Sequence, residues 1–166
     1  MASVKVTGIN EVIKALKGIP IDVKNNIENE LNQTGLAIVN EAIPNTPIDV
    51  GNLRNSSYVV TRNKVEHGSN PGFRDREDAK VKIAQRLGNE HQQAVSEAKG
   101  YAASISRFIR AIIGYSAFYA KEVHEIKKAY TVGGIYYLRN AFMGNVSNLR
   151  DKMINAINKE IFKYKK

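Results

Sequence analysis

Pro44-Asn45-Thr46-Pro47-Ile48-Asp49-Val50-Gly51 packs two prolines, an aspartate and a glycine into eight residues. Proline fixes φ and lacks an N–H, and glycine tolerates positive φ, so this stretch is a turn dividing the elements on either side. Upstream, Val23, Ile27, Leu31, Ile38 and Ala42 recur near helical spacing, with Val39 beside them. Asn25, Asn26, Glu28, Asn29 and Glu30 form the wet side, which predicts an amphipathic helix over residues 22–43 stopped by Pro44. Downstream, residues 55–61 are rich in Tyr, Val, Ser and Thr and read as a strand. Helix, proline turn and strand in succession argue for a mixed fold.

Farther out, residues 3–7 alternate with Val4 and Val6 on one side, a short strand broken by Gly8. Asn10 caps a short helix carrying Val12, Ile13, Leu16 and Ile19. Residues 66–73 are a loop. Over residues 75–103, Ala79, Ile83, Leu87, Ala94, Ala98 and Ala102 make a thin helical stripe, so this helix is expected to lie mostly outside the core. Residues 104–113 carry large apolar groups on both faces, the pattern of a central strand that ends at Gly114. Gly133-Gly134 reads as a flexible turn. From Tyr137 a final helix aligns Leu138, Ala141, Phe142, Val146, Leu149, Met153, Ile157, Ile161 and Tyr164, with Gly144 its weak point.

This order predicts an α+β chain. A small, mainly antiparallel sheet packs against a long helix in the N-terminal half and a long C-terminal helix. The two helices are expected to cover one buried face of the sheet. A single domain is expected over residues 1–166, with a helical insertion at about 62–103.

The 166 residues contain no cysteine, which excludes disulfides and thiolate chemistry. No apolar run is long enough to span a bilayer and the first residues lack the build of a secretory signal, so no membrane is expected. The net charge of +9 is uneven: residues 101–166 hold twelve basic and four acidic side chains. Lys127, Lys128, Lys163, Lys165 and Lys166 are the candidate polyanion contacts, against the plainer reading of a solvated helix face and a frayed basic tail.

Histidines 67, 91 and 124 fall in different elements without metal-ligand spacing, and neither a nucleophile elbow nor a phosphate-cradling glycine loop occurs. No catalytic, cofactor or metal residue is assigned, and the chain is expected not to be an enzyme. Tyr115, Phe118, Tyr119, Tyr130, Tyr136, Tyr137 and Phe142 cluster in sequence, interleaved with Lys121 and Arg139. Three readings stand: core, a protein–protein interface, or stacking on single-stranded nucleic acid. The interface candidates are Tyr115, Phe118, Tyr119, His124, Glu125, Tyr136 and Tyr137.

Three blocks in order carry a resemblance. Pro47-Ile48-Asp49-Val50-Gly51-Asn52-Leu53-Arg54-Asn55-Ser56 is similar to a Pro-x-Asp-Thr-Gly-x-Leu-Arg-x-Ser stretch, with Val50 in place of Thr. Tyr119-Ala120-Lys121-Glu122-Val123-His124-Glu125 is similar to a Tyr-Ala-x-x-Val-His/Glu-Glu segment, though no Gly-Thr pair follows Glu125. Tyr137-Leu138-Arg139-Asn140-Ala141-Phe142 is similar to an aromatic-Leu-x-x-Ala-Leu helix entry. These blocks, with the strand–Gly8–helix opening, resemble the small head–tail joining proteins, the neck and tail-completion family of tailed double-stranded DNA bacteriophages. The segment 62–103 is longer than that family's usual connection.

The resemblance implies a structural virion protein. It would form a homo-oligomeric ring, sixfold or twelvefold, between the portal or head connector and the tail terminator or tail tube. Double-stranded DNA would pass through the lumen. It also implies a place at the head–tail junction of the virion, with synthesis in the host bacterial cytoplasm. Pro47, Asp49, Gly51, Leu53 and Arg54 are the structural turn: Pro47 fixes a dihedral, Asp49 is expected to accept backbone N–H bonds, Gly51 permits positive φ, and Leu53 enters the core. A small basic nucleic-acid-binding protein is the alternative.

Overall fold

The computed structural model describes residues 21–67, 71–104, 108–126 and 129–163. Its elements run α1 (Ile21–Asn45), one helical turn α2 (Asn52–Asn55), β1 (Ser57–Thr61), β2 (Val65–Glu66), α3 (Ala84–Ala103), β3 (Ala111–Tyr115), α4 (Ala120–Glu125), α5 (Tyr137–Val146) and α6 (Leu149–Lys163). The strands form a three-stranded antiparallel sheet in the order β2-β1-β3. The fold class is α+β, as the pattern predicts. The strand and helix expected before Pro20 lie outside the described residues.

The α1 helix has two working faces. At helical spacing, Glu28, Asn32, Gly35, Val39, Ala42 and Thr46 form a stripe against the sheet. Glu28 Oε1 and Oε2 accept from the backbone and side-chain nitrogens of Asn63 at 2.7 and 2.6 Å. At the other end, the Thr46 and Tyr115 hydroxyls lie 3.0 Å apart. Between these anchors the helix closes tightly on β1, because a β-carbon on Gly35 would lie 2.7 Å from Val59 Cγ1. The second face, with Val23, Ile27 and Ile38 buried, meets α5 and α6. Asn145 on α5 donates to Glu41 Oε2 at 2.7 Å across that seam.

Several expectations change. The central strand is β1, with Val59 and Val60 fully buried; β3 begins at Ala111 and pairs, among the described residues, with β1 alone. Its two-sided apolar pattern comes from helices above and below. Alternation in sequence cannot distinguish a helix neighbour from a strand neighbour. Gly114 sits within β3 opposite Tyr58, whose ring occupies the space a side chain there would need.

The inserted helix is also not peripheral. It starts at Ala84, after an irregular stretch, because Asp75 Oδ1 accepts the backbone N–H groups of Ile83 and Ala84 at 2.6 and 2.9 Å. This satisfies two donors of the helix start. Leu87, His91, Ala98 and Ala102 are buried. The Tyr58 and Phe73 rings meet His91 edge-on at 6.2 and 5.8 Å, so α3 covers the face of β1 opposite α1. Both faces of the sheet are therefore packed, not one.

The C-terminal helix is two helices, α5 and α6, parting at residues 147–148 rather than weakening at Gly144. Tyr137 and Ala141 are the buried positions of α5, while Phe142 and Met143 face solvent at 45% and 64% exposure. No helix among the described residues is long and apolar enough to cross a membrane.

Candidate functional site

The three sequence blocks meet around the end of α1. Pro47 is buried, and Gly51 takes φ of +85° to start α2. Leu53 enters the core beside Ile38, Ala42, Leu87 and Tyr137. Arg54 turns back onto the helix: its Nε and Nη2 donate to the Thr46 carbonyl at 3.1 and 3.0 Å, and Nη2 also donates to the Pro44 carbonyl at 2.9 Å. A cation is thus held against carbonyls that lack helical partners. Asn52 makes a reciprocal pair with the Arg74 backbone, 2.6 Å to its carbonyl and 2.8 Å from its N–H. Asn55 Nδ2 donates to the Gly72 carbonyl at 2.7 Å. Asn52 and Asn55 therefore fasten the Gly72–Arg74 stretch, Leu53 the core and Arg54 the end of α1. Asp49 differs from expectation. It faces Arg76 at 3.4 Å on an exposed surface and accepts no backbone N–H among the described residues.

The second and third blocks close over the same junction. Tyr137 is buried on α5, its hydroxyl donating to the Ala120 carbonyl at 3.3 Å and its ring meeting Tyr115 edge-on at 5.1 Å. Burial raises the phenol pKa of Tyr137 strongly, and those of Tyr115 and Tyr119 also rise through burial. His124 lies under Tyr137 and Tyr136 at 4.9 and 5.8 Å. Its carbonyl accepts the Tyr136 N–H at 2.9 Å, and its Nε2 faces the Arg139 N–H at 3.4 Å. Burial lowers its pKa, with Glu125 opposing and Arg139 reinforcing. Tyr136 adopts a left-handed φ of 58° at the start of α5. Gly133-Gly134 is seated on the end of α1, with the Gly134 N–H on the Asn45 carbonyl at 3.0 Å.

The interface candidates therefore divide. Tyr115 and Tyr137 serve the core, while His124 and Tyr119 are half-buried at its rim. Phe118, Glu125 and Tyr136 remain exposed, Phe118 beneath the Arg86 guanidinium at 4.1 Å. Lys127, Lys128, Lys165 and Lys166 lie outside the described residues, as does the side chain of Lys163.

Two apolar surfaces flank the junction and share no residue. One is a groove of about 480 Å³ between the Pro47–Gly51 turn, the segment before α3, and α4. Ile48, Leu53, Val81, Ile83, Val123 and Tyr130 form its apolar walls, with Tyr119, Asp49 and Arg76 as polar edges. The other, about 500 Å³ and shallower, runs over Ile112, Ile113, Leu138 and Phe142. Sequence reading missed the part of Val81 and Ile83, because their turn looked helical. It also missed His91, whose Nδ1 lies 2.7 Å from Ser116 Oγ inside the fold. No group of three His, Asp or Glu side chains converges to hold a metal among the described residues.

Comparison of the chain with protein-family models, with curated proteins and with solved structures finds no match.

Proposed function

We propose that this chain is a structural subunit of a bacteriophage neck, forming a ring between the head connector and the tail through which double-stranded DNA passes. Its work is mechanical rather than catalytic. The observation carrying this reading is the convergence of the Pro47, Tyr119 and Tyr137 blocks on one junction flanked by two separate apolar surfaces. A head-to-tail ring needs two different, complementary patches on every subunit. The groove with exposed Val81 and Ile48, and the face with Phe142, supply two patches that are not the same surface. Exposed apolar groups collected in this way mark contact surfaces more often than solvent faces.

Assembly of a +9 chain is expected to depend on its neighbours. Like charges brought into a closed ring repel, most strongly at low salt where the screening length is long. An acidic connector surface or DNA would neutralise that repulsion. Light scattering at low salt should find small species, and addition of the upstream connector should drive assembly.

Electron cryo-microscopy of purified virions carrying this chain tests the reading. A sixfold or twelvefold collar at the head–tail junction, with the groove against the adjoining copy or ring, is the expected result. Absence of the chain from that junction would refute it.

A further inference from the structure

One end of the sheet collects cations that form no ion pair among the described residues. The hairpin between β1 and β2 has Arg62 and Asn63 at its tip, and Asn63 is locked to buried Glu28 through both carboxylate oxygens. The last β1–β3 pair is Thr61 with Ala111, so Arg62 and Arg110 both adjoin the same end of the sheet. Neither arginine has a carboxylate within ion-pair distance among the described residues. Lys24, from the first turns of α1, lines a depression of about 270 Å³ with Arg62, Asn63, Phe108 and Glu28, whose two carboxylate oxygens are taken up by Asn63.

The Arg110 guanidinium is held for use. It lies over the Tyr101 ring at 4.5 Å and the Phe108 ring at 5.3 Å, and its Nη1 donates to the Tyr101 carbonyl at 3.1 Å. Arginine carries five N–H donors in a planar fork, so most remain for an anion. Tyr101 is 59% exposed, and its ring offers an accessible surface at the site's edge.

We propose that this end of the sheet, Arg62 and Arg110 with Lys24 and the rings of Tyr101 and Phe108, binds the phosphodiester backbone of nucleic acid. Phe108 joins the two groups of cations: it lines the depression with Arg62 and Lys24, and its ring lies beside the Arg110 guanidinium, so successive phosphates of one backbone can rest on both. Flanking aromatic rings favour nucleic acid over an acidic protein, because bases stack on such rings and carboxylates gain nothing from them. The site is distinct from the C-terminal lysines and from both apolar surfaces. A chain absent from virions would still show this binding.

The test is fluorescence anisotropy of the full chain with labelled single-stranded and duplex oligonucleotides across a salt series, with polyglutamate as a third probe. Removing two phosphate contacts by Arg62→Gln with Arg110→Gln should reduce the slope of log affinity against log salt by about two. Between about 50 and 200 mM salt, the parent should then lose about tenfold more affinity than the variant. Arg62→Gln with Lys24→Gln provides the same reading should the Arg110 change unfold the chain. Arg86→Gln with Arg139→Gln removes equal charge elsewhere and should leave the slope nearly unchanged. A duplex response alone supports phosphate contact, and tighter single-strand binding supports it with stacking on the rings. Equal loss in the Arg86/Arg139 variant, equal binding of polyglutamate, or no nucleic-acid binding at low salt would overturn the proposal.

Discussion

The α-carbon of Gly133 sits so close to the Asn45 carbonyl oxygen that a β-carbon there would lie 2.6 Å from it. Gly133 also has φ of +82°, and the Pro47 nitrogen would be only 2.7 Å from the same β-carbon. The loop before α5 is thereby pressed onto the end of α1. Gly51 shares the positive φ but has open space around it. Gly51→Ala should therefore cost only the left-handed backbone strain, about 1–2 kcal/mol. Gly133→Ala adds overpacking against main chain and should cost about 3 kcal/mol or more. Urea melts of the two variants check this, and an equal or reversed order would show that the loop can withdraw from α1.

Arg54 holds the Pro44 and Thr46 carbonyls through three hydrogen bonds. Arg54→Met should destabilise the fold by about 1.5–3 kcal/mol, the range for bonds to a charged group. Arg54→Lys should recover little, because an ammonium cannot reproduce the fork. Denaturant unfolding of the three proteins measures it; full recovery with lysine would mean that charge at the helix end suffices.

The helix α3 should be protected from hydrogen exchange from about Leu87 to Ala102 in the isolated chain, unlike the irregular segment before it. Its anchor is Leu87, 1% exposed in the main core. Leu87→Ala should cost about 2–5 kcal/mol by removing buried methyl groups and leaving a cavity. Rapid exchange throughout α3 in the parent chain would contradict its packing on β1.

Asp75 makes the start of α3 sensitive to pH. Its bond from the Ala84 N–H, followed by that from Ile83 and the nearby Lys82 charge, lowers its pKa in the folded chain. A depressed folded pKa gives stability that is complete above the unfolded value of about 3.9 and lost as pH falls through the lower folded value. Acidification below about pH 4 should release the start of α3, and Asp75→Asn should flatten that part of the profile. Amide exchange or NMR shifts at Ile83 and Ala84 across the acid range are the readout. An unchanged acid profile in Asp75→Asn would assign the effect elsewhere.

Asn32 is fully buried, and neither side-chain polar atom has a hydrogen-bond partner among the described residues. A buried polar group without a partner carries its desolvation cost uncompensated. Asn32→Leu should raise stability by about 1–2 kcal/mol in thermal or denaturant melts. A loss of stability would reveal a polar contact at this position.

Local chemistry alone determined α1, which runs on through Pro44 to Asn45 rather than stopping before the proline, the turn that follows to Gly51, β1 and the helical character after Tyr137. Apolar spacing, proline's missing N–H and β-branched enrichment act within a few residues and do not depend on what the element later touches. The left-handed Gly51 and the buried Leu53 were legible for the same reason. Tertiary structure decided what those residues meet. The alanine-rich stripe of α3 looked too thin for a core, but small side chains are what allow a helix to lie close to a sheet, and His91 and Leu87 fill the remaining space. The apolar faces of residues 109–113 were visible, but not that helices rather than strands would cover them. Arg62 and Arg110 are 48 positions apart in the chain; only the antiparallel register of β1 and β3 brings them to the same end of the sheet, because strand pairing joins residues by geometry rather than by proximity in sequence.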